Sequence, residues 1–191
     1  RNTTTSNIAS ITGTGSTKFI YANNGAYGSA GNRQDLWVTL GAGTSSANGW
    51  IGGHTTGDLY GDIHLRLAEG AIGKSTVFGV VNAGTVHGDI YLEFSSSTGV
   101  YDTSFTTGEA DRTSVAGSYA SAVNGDITMV FNDGVFSHRI FGGFYTGNKT
   151  ISGSASLFIN GGTFMNEIYA GNKTDGTISR GTSLTVTGTD A

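Results

Sequence analysis

The sequence contains no cysteine and no proline, and only 13% of its 191 residues are charged. The absence of cysteine excludes a disulfide framework and CxxC-type metal sites. The absence of proline argues against collagen and against stiff Pro-rich linkers, although glycine is abundant. No stretch approaches the roughly 18 consecutive apolar residues of a membrane helix. A net charge of −4 with no basic run leaves no electrostatic footprint for nucleic acid or for an anionic membrane surface. There is no HExxH pair, no G-x-S-x-G elbow and no Walker loop, so the familiar signatures of zinc, serine and nucleotide chemistry are missing. Gly13-Thr14-Gly15, between Thr12 and Ser16, is low-complexity turn sequence.

What is present is glycine, 32 of 191 residues or about 17%, against a usual share of roughly 7%. Aromatic residues make up 10%, which separates the chain from disordered polar sequences. The apolar residues are placed regularly. Gly-Asp-Ile occurs at Gly61, Gly88 and Gly125, and each copy opens a period-two alternation: Ile63, Leu65, Leu67; Ile90, Leu92, Phe94; Ile127, Met129, Phe131. Such alternation is the mark of a strand with one buried face. Weaker copies are Leu36, Val38, Leu40; Ala155, Leu157, Ile159; and Thr182, Leu184, Val186. Units therefore start near Gln34, Gly61, Gly88, Gly125, Gly153 and Arg180. The spacing is about 27 residues, the size of one coil of a solenoid, and is interrupted once by a loop insertion expected within Ser95 to Thr113. No segment sustains a 3.6-residue period, so helices are not expected. An antiparallel sandwich is the structural competitor. The solenoid is preferred because the whole motif repeats, and not the alternation alone. The expectation is a single all-β solenoid fragment over residues 1–191.

In such a fold equivalent residues stack about 4.8 Å apart. An aromatic slot recurs in each unit, and the expected ladder is Tyr21, Phe78, Tyr119, Phe141 and Tyr169. Trp50-Ile51-Gly52-Gly53 occupies the same slot in a variant order. The flanking Gly and Ala favour core packing for this ladder; the alternative is an exposed platform for sugars. Asp35, Asp62, Asp89 and Asp126 form a second expected ladder. Stacked carboxylates repel, so calcium or hydrogen bonds from backbone N–H must compensate. With one Asp per unit and no Gly-Gly-x-Gly-x-Asp run, capping of backbone N–H is the preferred reading.

The remaining chemistry-bearing residues are scattered. His54 and His87 are expected in loops, and His64 and His138 at outward positions on or near strands. Asp102, Glu109, Asp111 and Arg112 form a charged group in the insertion, read as a solvated loop. Asn148 and Asn172 match the glycosylation sequon and are read as loop residues, and Asn2 is a third, chance match. No Thr-x-Thr recurs at one position of successive units, which argues against an ice-binding face. No catalytic, cofactor or metal site is assigned.

Gly161-Gly162-Thr163-Phe164 with Glu167-Ile168-Tyr169-Ala170-Gly171 resembles the repeat region of bacterial autotransporter passenger domains and related surface proteins. So does Asn132-Asp133-Gly134-Val135-Phe136 with Ile140-Phe141-Gly142-Gly143. The resemblance spans roughly Phe19 to the C-terminus. It implies a right-handed parallel β-helix exported to the cell surface or medium, acting in adhesion, self-association or display. It carries over no catalytic residue. The sequence starts at Arg1 rather than Met, and both ends interrupt the repeat without a polar capping unit. A processed or excised fragment is expected, with end-to-end association or continuation into a longer chain. The functional expectation is a non-catalytic surface protein of adhesion or assembly, with host or matrix glycans as possible partners. The alternative is a β-helix that binds or cleaves polysaccharide.

Overall fold

The computed structural model describes residues 7–11, 16–41, 45–70, 72–101 and 113–187. These residues form strands and turns with no helix. The alternating runs give strands whose apolar side chains point one way. Each strand pairs in parallel with the equivalent strand of the next coil, so the chain winds as a β-solenoid of about five turns.

One sheet stacks Asn7–Ile11, Leu36–Leu40, Ile63–Leu67, Ile90–Tyr101, Ile127–Phe136, Ala155–Ile159 and Thr182–Val186. The register is regular. Leu36, Ile63, Ile90, Ile127, Ala155 and Thr182 occupy one column, and Leu40, Leu67, Phe94, Phe131, Ile159 and Val186 another. Equivalent residues are separated by 27, 27, 37, 28 and 27 positions along the chain. The second sheet stacks Ser16–Asn23, Ser45–Leu59, Ile72–Val86, Thr113–Ser118, Arg139–Phe144 and Ile168–Tyr169. The far half of Ile72–Val86 continues its ladder through Ala122–Val123, Lys149–Ile151 and Gly176–Ile178.

The two sheets enclose one core. Ile20, Ile51, Val77, Val115, Ile140 and Ile168 form an inward column, and Leu59, Val86, Val123, Ile151 and Ile178 form a third. These residues join the first sheet's inward side chains in one continuous cluster. Burying a Leu, Ile or Val contributes about 1.5–3 kcal/mol, and stacking supplies the covering neighbour that a lone coil lacks. One corner is filled by phenyl rings. Phe94 and Phe131 stack with centroids 5.0 Å apart, and Phe136 meets both edge-on at 5.4 and 5.1 Å.

The extra length of one coil is localised by the register. Tyr101 pairs with Phe136 and Thr113 with Arg139, so residues 102–112 stand where the following coil has only 137 and 138. The expected insertion thus lies largely outside the described residues, as do Asp102, Glu109, Asp111 and Arg112.

Three expectations are corrected. The rung between Phe78 and Phe141 is Ala116, not Tyr119. Tyr119 follows Ser118, which pairs with Val80 and Phe144, so its ring lies one column further on. There it stacks on Tyr145 at 5.4 Å and meets Phe78 edge-on at 5.3 Å. His54 lies within the strand Ser45–Leu59 and is fully buried, not in a loop. His138 is buried rather than outward.

His54 makes a prediction. The Asn23 side-chain amide donates to its Nδ1 at 3.2 Å, which leaves Nε2–H to donate to the Gly57 carbonyl at 3.1 Å. Burial lowers its pKa from the ordinary 6.5, opposed by hydrogen bonding to the backbone of Gly57 and of Asn23 and by the charge of Asp58. The unfolded chain therefore takes up a proton at this site more readily than the folded one. Stability from neutral His54 is complete above about pH 6.5 and falls as the pH drops through the folded-state pKa. Thermal melts from pH 7.5 to 5 should show a falling Tm. The His54→Gln variant should show a shallower fall over the same range.

Candidate functional site

The Gly-Asp-Ile motif acquires a physical reason at the turn that enters the first sheet. Asp35 Oδ1 accepts the backbone N–H of Asp62 at 2.9 Å, Asp62 Oδ1 that of Asp89 at 2.8 Å, and Asp89 Oδ1 that of Asp126 at 2.8 Å. Asp126 Oδ1 closes the series on the backbone N–H of Ser154 at 2.6 Å and its hydroxyl at 3.0 Å. These two bonds hold the Asp126 carboxyl below its ordinary pKa, the backbone bond more strongly. Each carboxylate thus caps the next coil, an arrangement that joins coils and offsets the repulsion between stacked charges. Arg33 adds an ion pair to Asp62 at 3.2 Å. The preceding glycine is required by closeness. A Cβ on Gly88 would lie 2.1 Å from the Gly61 carbonyl oxygen and 2.4 Å from Asp62 Oδ1.

This ladder is structural, and it yields a graded prediction. Asp89→Ala removes the acceptor for the Asp126 N–H and should cost about 1 kcal/mol, below the usual value for a charged acceptor because the site is exposed. Asp89→Asn keeps an acceptor oxygen and should cost less than half of that. Urea unfolding of the three proteins checks the order. Equal losses for both variants would assign the effect to charge rather than to capping.

The aromatic ladder forms a small second core on the outer side of the second sheet. Phe78 and Phe141 are only 2% and 4% exposed, while Tyr21, Tyr119 and Tyr145 pack around them. Phe141 stacks on Tyr169 at 5.2 Å, and Tyr169 is 43% exposed. Gly52 takes the slot between Tyr21 and Phe78. Lys173 sits 4.0 Å from the Tyr145 ring centre. Asn172 is drawn into the same packing, because its Oδ1 accepts the Phe144 N–H at 2.9 Å.

The open feature lies elsewhere, on the outer face of the first sheet. Because side chains alternate, the residues between the buried positions of Leu36–Leu40, Ile63–Leu67 and Ile90–Phe94 point outward. Trp37, His64 and Tyr91 stack in one outward column, and Thr39, Arg66 and Glu93 in the next. Between the columns runs a groove of about 410 Å³. The Trp37 indole stacks on the His64 imidazole with centroids 3.7 Å apart and planes 8° from parallel. The stack opens at Tyr91, whose ring is 6.2 Å from His64 and tilted by 44°. Trp37 remains 42% exposed. Within the second column Arg66 Nε meets Glu93 Oε1 at 3.3 Å. The Ser95 hydroxyl donates to the same Glu93 oxygen at 2.9 Å, which orients the carboxylate. Burial, then the charge of Glu93, raises the Tyr91 pKa, while Arg66 opposes the shift.

Sequence reasoning placed His64 outward but did not join it to Trp37 and Tyr91. The signal was available, since each stands two residues after a ladder aspartate: Asp35, Asp62 and Asp89. Among the described residues no group of three or more His, Cys, Asp or Glu is placed to hold a metal ion. No helix of the described residues is long and apolar enough to cross a membrane. Comparison with protein-family models, curated proteins and solved structures finds no match.

Proposed function

We propose that this chain is a non-catalytic section of a secreted or cell-surface β-solenoid, a rigid rod that acts in adhesion through its outward side chains. The observation that carries this reading is the division of labour between the two faces of the first sheet. Its inward positions are committed to one continuous core, while its outward positions display an open groove across three coils. The motif resemblance to autotransporter passenger repeats supports the extracellular placement. The groove lining holds a single carboxylate, Glu93, already paired with Arg66. Hydrolysis of glycosidic bonds ordinarily uses two.

The test is direct. Beads coated with the chain should attach to immobilised mucin and to epithelial monolayers above the level of albumin-coated beads. Release of reducing ends from a polysaccharide, abolished by Glu93→Gln, would instead favour the cleaving β-helix.

Self-association is a second reading, favoured by the strand Thr182–Val186. It pairs with Ala155–Ile159 on one side and has no described partner on the other. Its core-column residues Leu184 and Val186 are 45% and 64% exposed. An open strand edge of this kind is a template for another strand. In a longer chain a following coil takes that edge; in the isolated polypeptide a second copy does. Sedimentation velocity should show concentration-dependent association of the polypeptide. A monomer at all concentrations contradicts this second reading.

A further inference from the structure

We propose that the groove between the Trp37–His64–Tyr91 and Thr39–Arg66–Glu93 columns binds a linear, uncharged polysaccharide lying along the solenoid axis. The inference rests on the adhesive reading and names its ligand.

The direction of the ligand follows from the construction of the walls. Each wall is one position repeated in three successive coils, so the groove crosses the strands and follows the axis. Three rungs span about 10 Å at about 4.8 Å per step, which suits a short run of linked rings better than one small molecule. A volume of about 410 Å³ lies within the range of ordinary ligand sites.

The class of ligand follows from the chemistry of the two walls. One wall is aromatic. The Trp37 indole is 42% exposed beside the groove, and the tilt at Tyr91 parts its ring from the imidazole, so aromatic ring surface stays open to a ligand. Such a surface accepts the apolar C–H faces of sugar rings. The other wall alternates a hydroxyl, a guanidinium and a carboxylate, so donors and acceptors are both present. Sugar hydroxyls donate and accept, and they match this mixture. Arg66 and Glu93 neutralise one another at 3.3 Å, so the groove selects neither an anionic nor a cationic chain.

An extended peptide is disfavoured for a separate reason. Peptide strands dock by adding to a free sheet edge. The strand Ile63–Leu67 at the centre of the groove is paired on both sides, with Leu36–Leu40 and with Ile90–Phe94. Its backbone hydrogen bonds are already used.

The experiment titrates the chain with cellohexaose, maltohexaose, laminarihexaose, xylohexaose, mannohexaose and chitohexaose. Hexagalacturonate and a heparin hexasaccharide serve as charged comparisons. The sequence has two tryptophans, so Trp50→Phe leaves Trp37 as the single reporter, and calorimetry on the unaltered chain provides a second readout. At least one neutral hexasaccharide should bind saturably, shift Trp37 emission, and keep its affinity as salt is raised. Trp37→Ala and Arg66→Ala should each weaken that binding about tenfold, roughly 1.4 kcal/mol, with the melting curve little changed because both side chains point outward. Failure of every neutral sugar to bind, tighter salt-sensitive binding of the charged sugars, or undiminished binding by Trp37→Ala would each overturn the proposal.

Beads separate this inference from the reading beneath it. If unaltered beads and beads carrying Trp37→Ala with Arg66→Ala adhere equally, the groove is not the adhesive site, although adhesion stands. If no beads adhere while an oligosaccharide binds in the groove, the groove stands and the adhesive role falls.

Discussion

Replacing Phe131 with alanine is expected to lower the stability of the folded chain by about 4 kcal/mol, the largest loss among single substitutions considered for this protein. Phe131 is fully buried at the centre of the phenyl corner. It stacks on Phe94 at 5.0 Å and meets Phe136 and Phe164 edge-on at 5.1 and 5.7 Å. The substitution removes a buried aromatic ring and several ring–ring contacts, each worth about 0.5–1.5 kcal/mol beyond burial. The cavity cannot close easily, because the rungs above and below are held at fixed spacing by the strand ladders. For a chain of this length the loss corresponds to a fall in Tm of about 10 °C. Phe158→Ala supplies the contrast. Phe158 belongs to the next coil but points outward and is 38% exposed, so its loss should be under about 1 kcal/mol. Differential scanning calorimetry of both variants measures the difference. Similar losses for the two would mean that the inward and outward columns are assigned wrongly.

Gly79→Ala is expected to cost about 3 kcal/mol, although it adds only one methyl group. Gly53, Gly79, Gly117 and Gly142 stand where the second sheet turns against the first. A Cβ on Gly79 would lie 2.4 Å from Ile90 Cγ2 and 2.5 Å from the Gly117 carbonyl oxygen. The Ile90 side chain could yield, but the carbonyl belongs to the neighbouring coil and is fixed by the strand. Relief therefore requires the coils to separate locally. Gly171→Ala makes the comparison fair, since nothing lies within 4 Å of a Cβ built there. Its effect should stay within about 0.5 kcal/mol. Trimming Ile90 to Ala removes that Cγ2, and in the Gly79→Ala background, measured against Ile90→Ala alone, it should restore only part of the loss, because the carbonyl contact persists. Full restoration would place the conflict at Ile90 alone. Denaturant unfolding of the single and double variants resolves the two cases.

Much of the fold was legible because a parallel solenoid repeats its instructions. The alternation at Ile63, Leu65 and Leu67 recurs at Ile90 and Ile127, and the structure places these residues opposite one another. The glycine before Asp62, Asp89 and Asp126 was visible as a motif, but its reason was not. Only the folded structure shows that a Cβ on Gly88 would strike the coil beneath it. The Asp ladder was legible as a column, and the structure supplies its partners, the backbone N–H groups of the next coil.

Tyr119 was misplaced for a physical reason. The slot opposite Phe78 holds the small residue Ala116, and Tyr119 reaches the same aromatic cluster from the adjacent column. A search for the nearest aromatic finds the correct cluster through the wrong rung. His54 was hidden by its glycine-rich surroundings, Gly52-Gly53 and Gly57, which resemble a loop. In the solenoid those glycines are close-packed positions within the strand Ser45–Leu59, and the imidazole is enclosed. The groove escaped notice because outward positions carry no periodic apolar signal. Trp37, His64 and Tyr91 share chemistry only once the register aligns them.

Coils about 27 residues apart stack in register, and cross-linking measures that stacking. The natural chain has no cysteine, so paired substitutions give an unambiguous readout. Ser156 and Ser183 are register partners whose hydroxyls lie 3.0 Å apart, with Ser183 donating. Neighbouring parallel strands are about 4.8 Å apart, within the Cα separation that a disulfide bridges. Ser156→Cys with Ser183→Cys should therefore oxidise readily to an intramolecular disulfide, detected by a gel shift and by peptide mass. Ser156→Cys with Thr185→Cys places the second thiol two residues off register, at about 8 Å, and should resist bridging. In-register coils give fast closure of the first pair and little of the second. Equal closure of both, or faster closure of the second, would contradict that stacking.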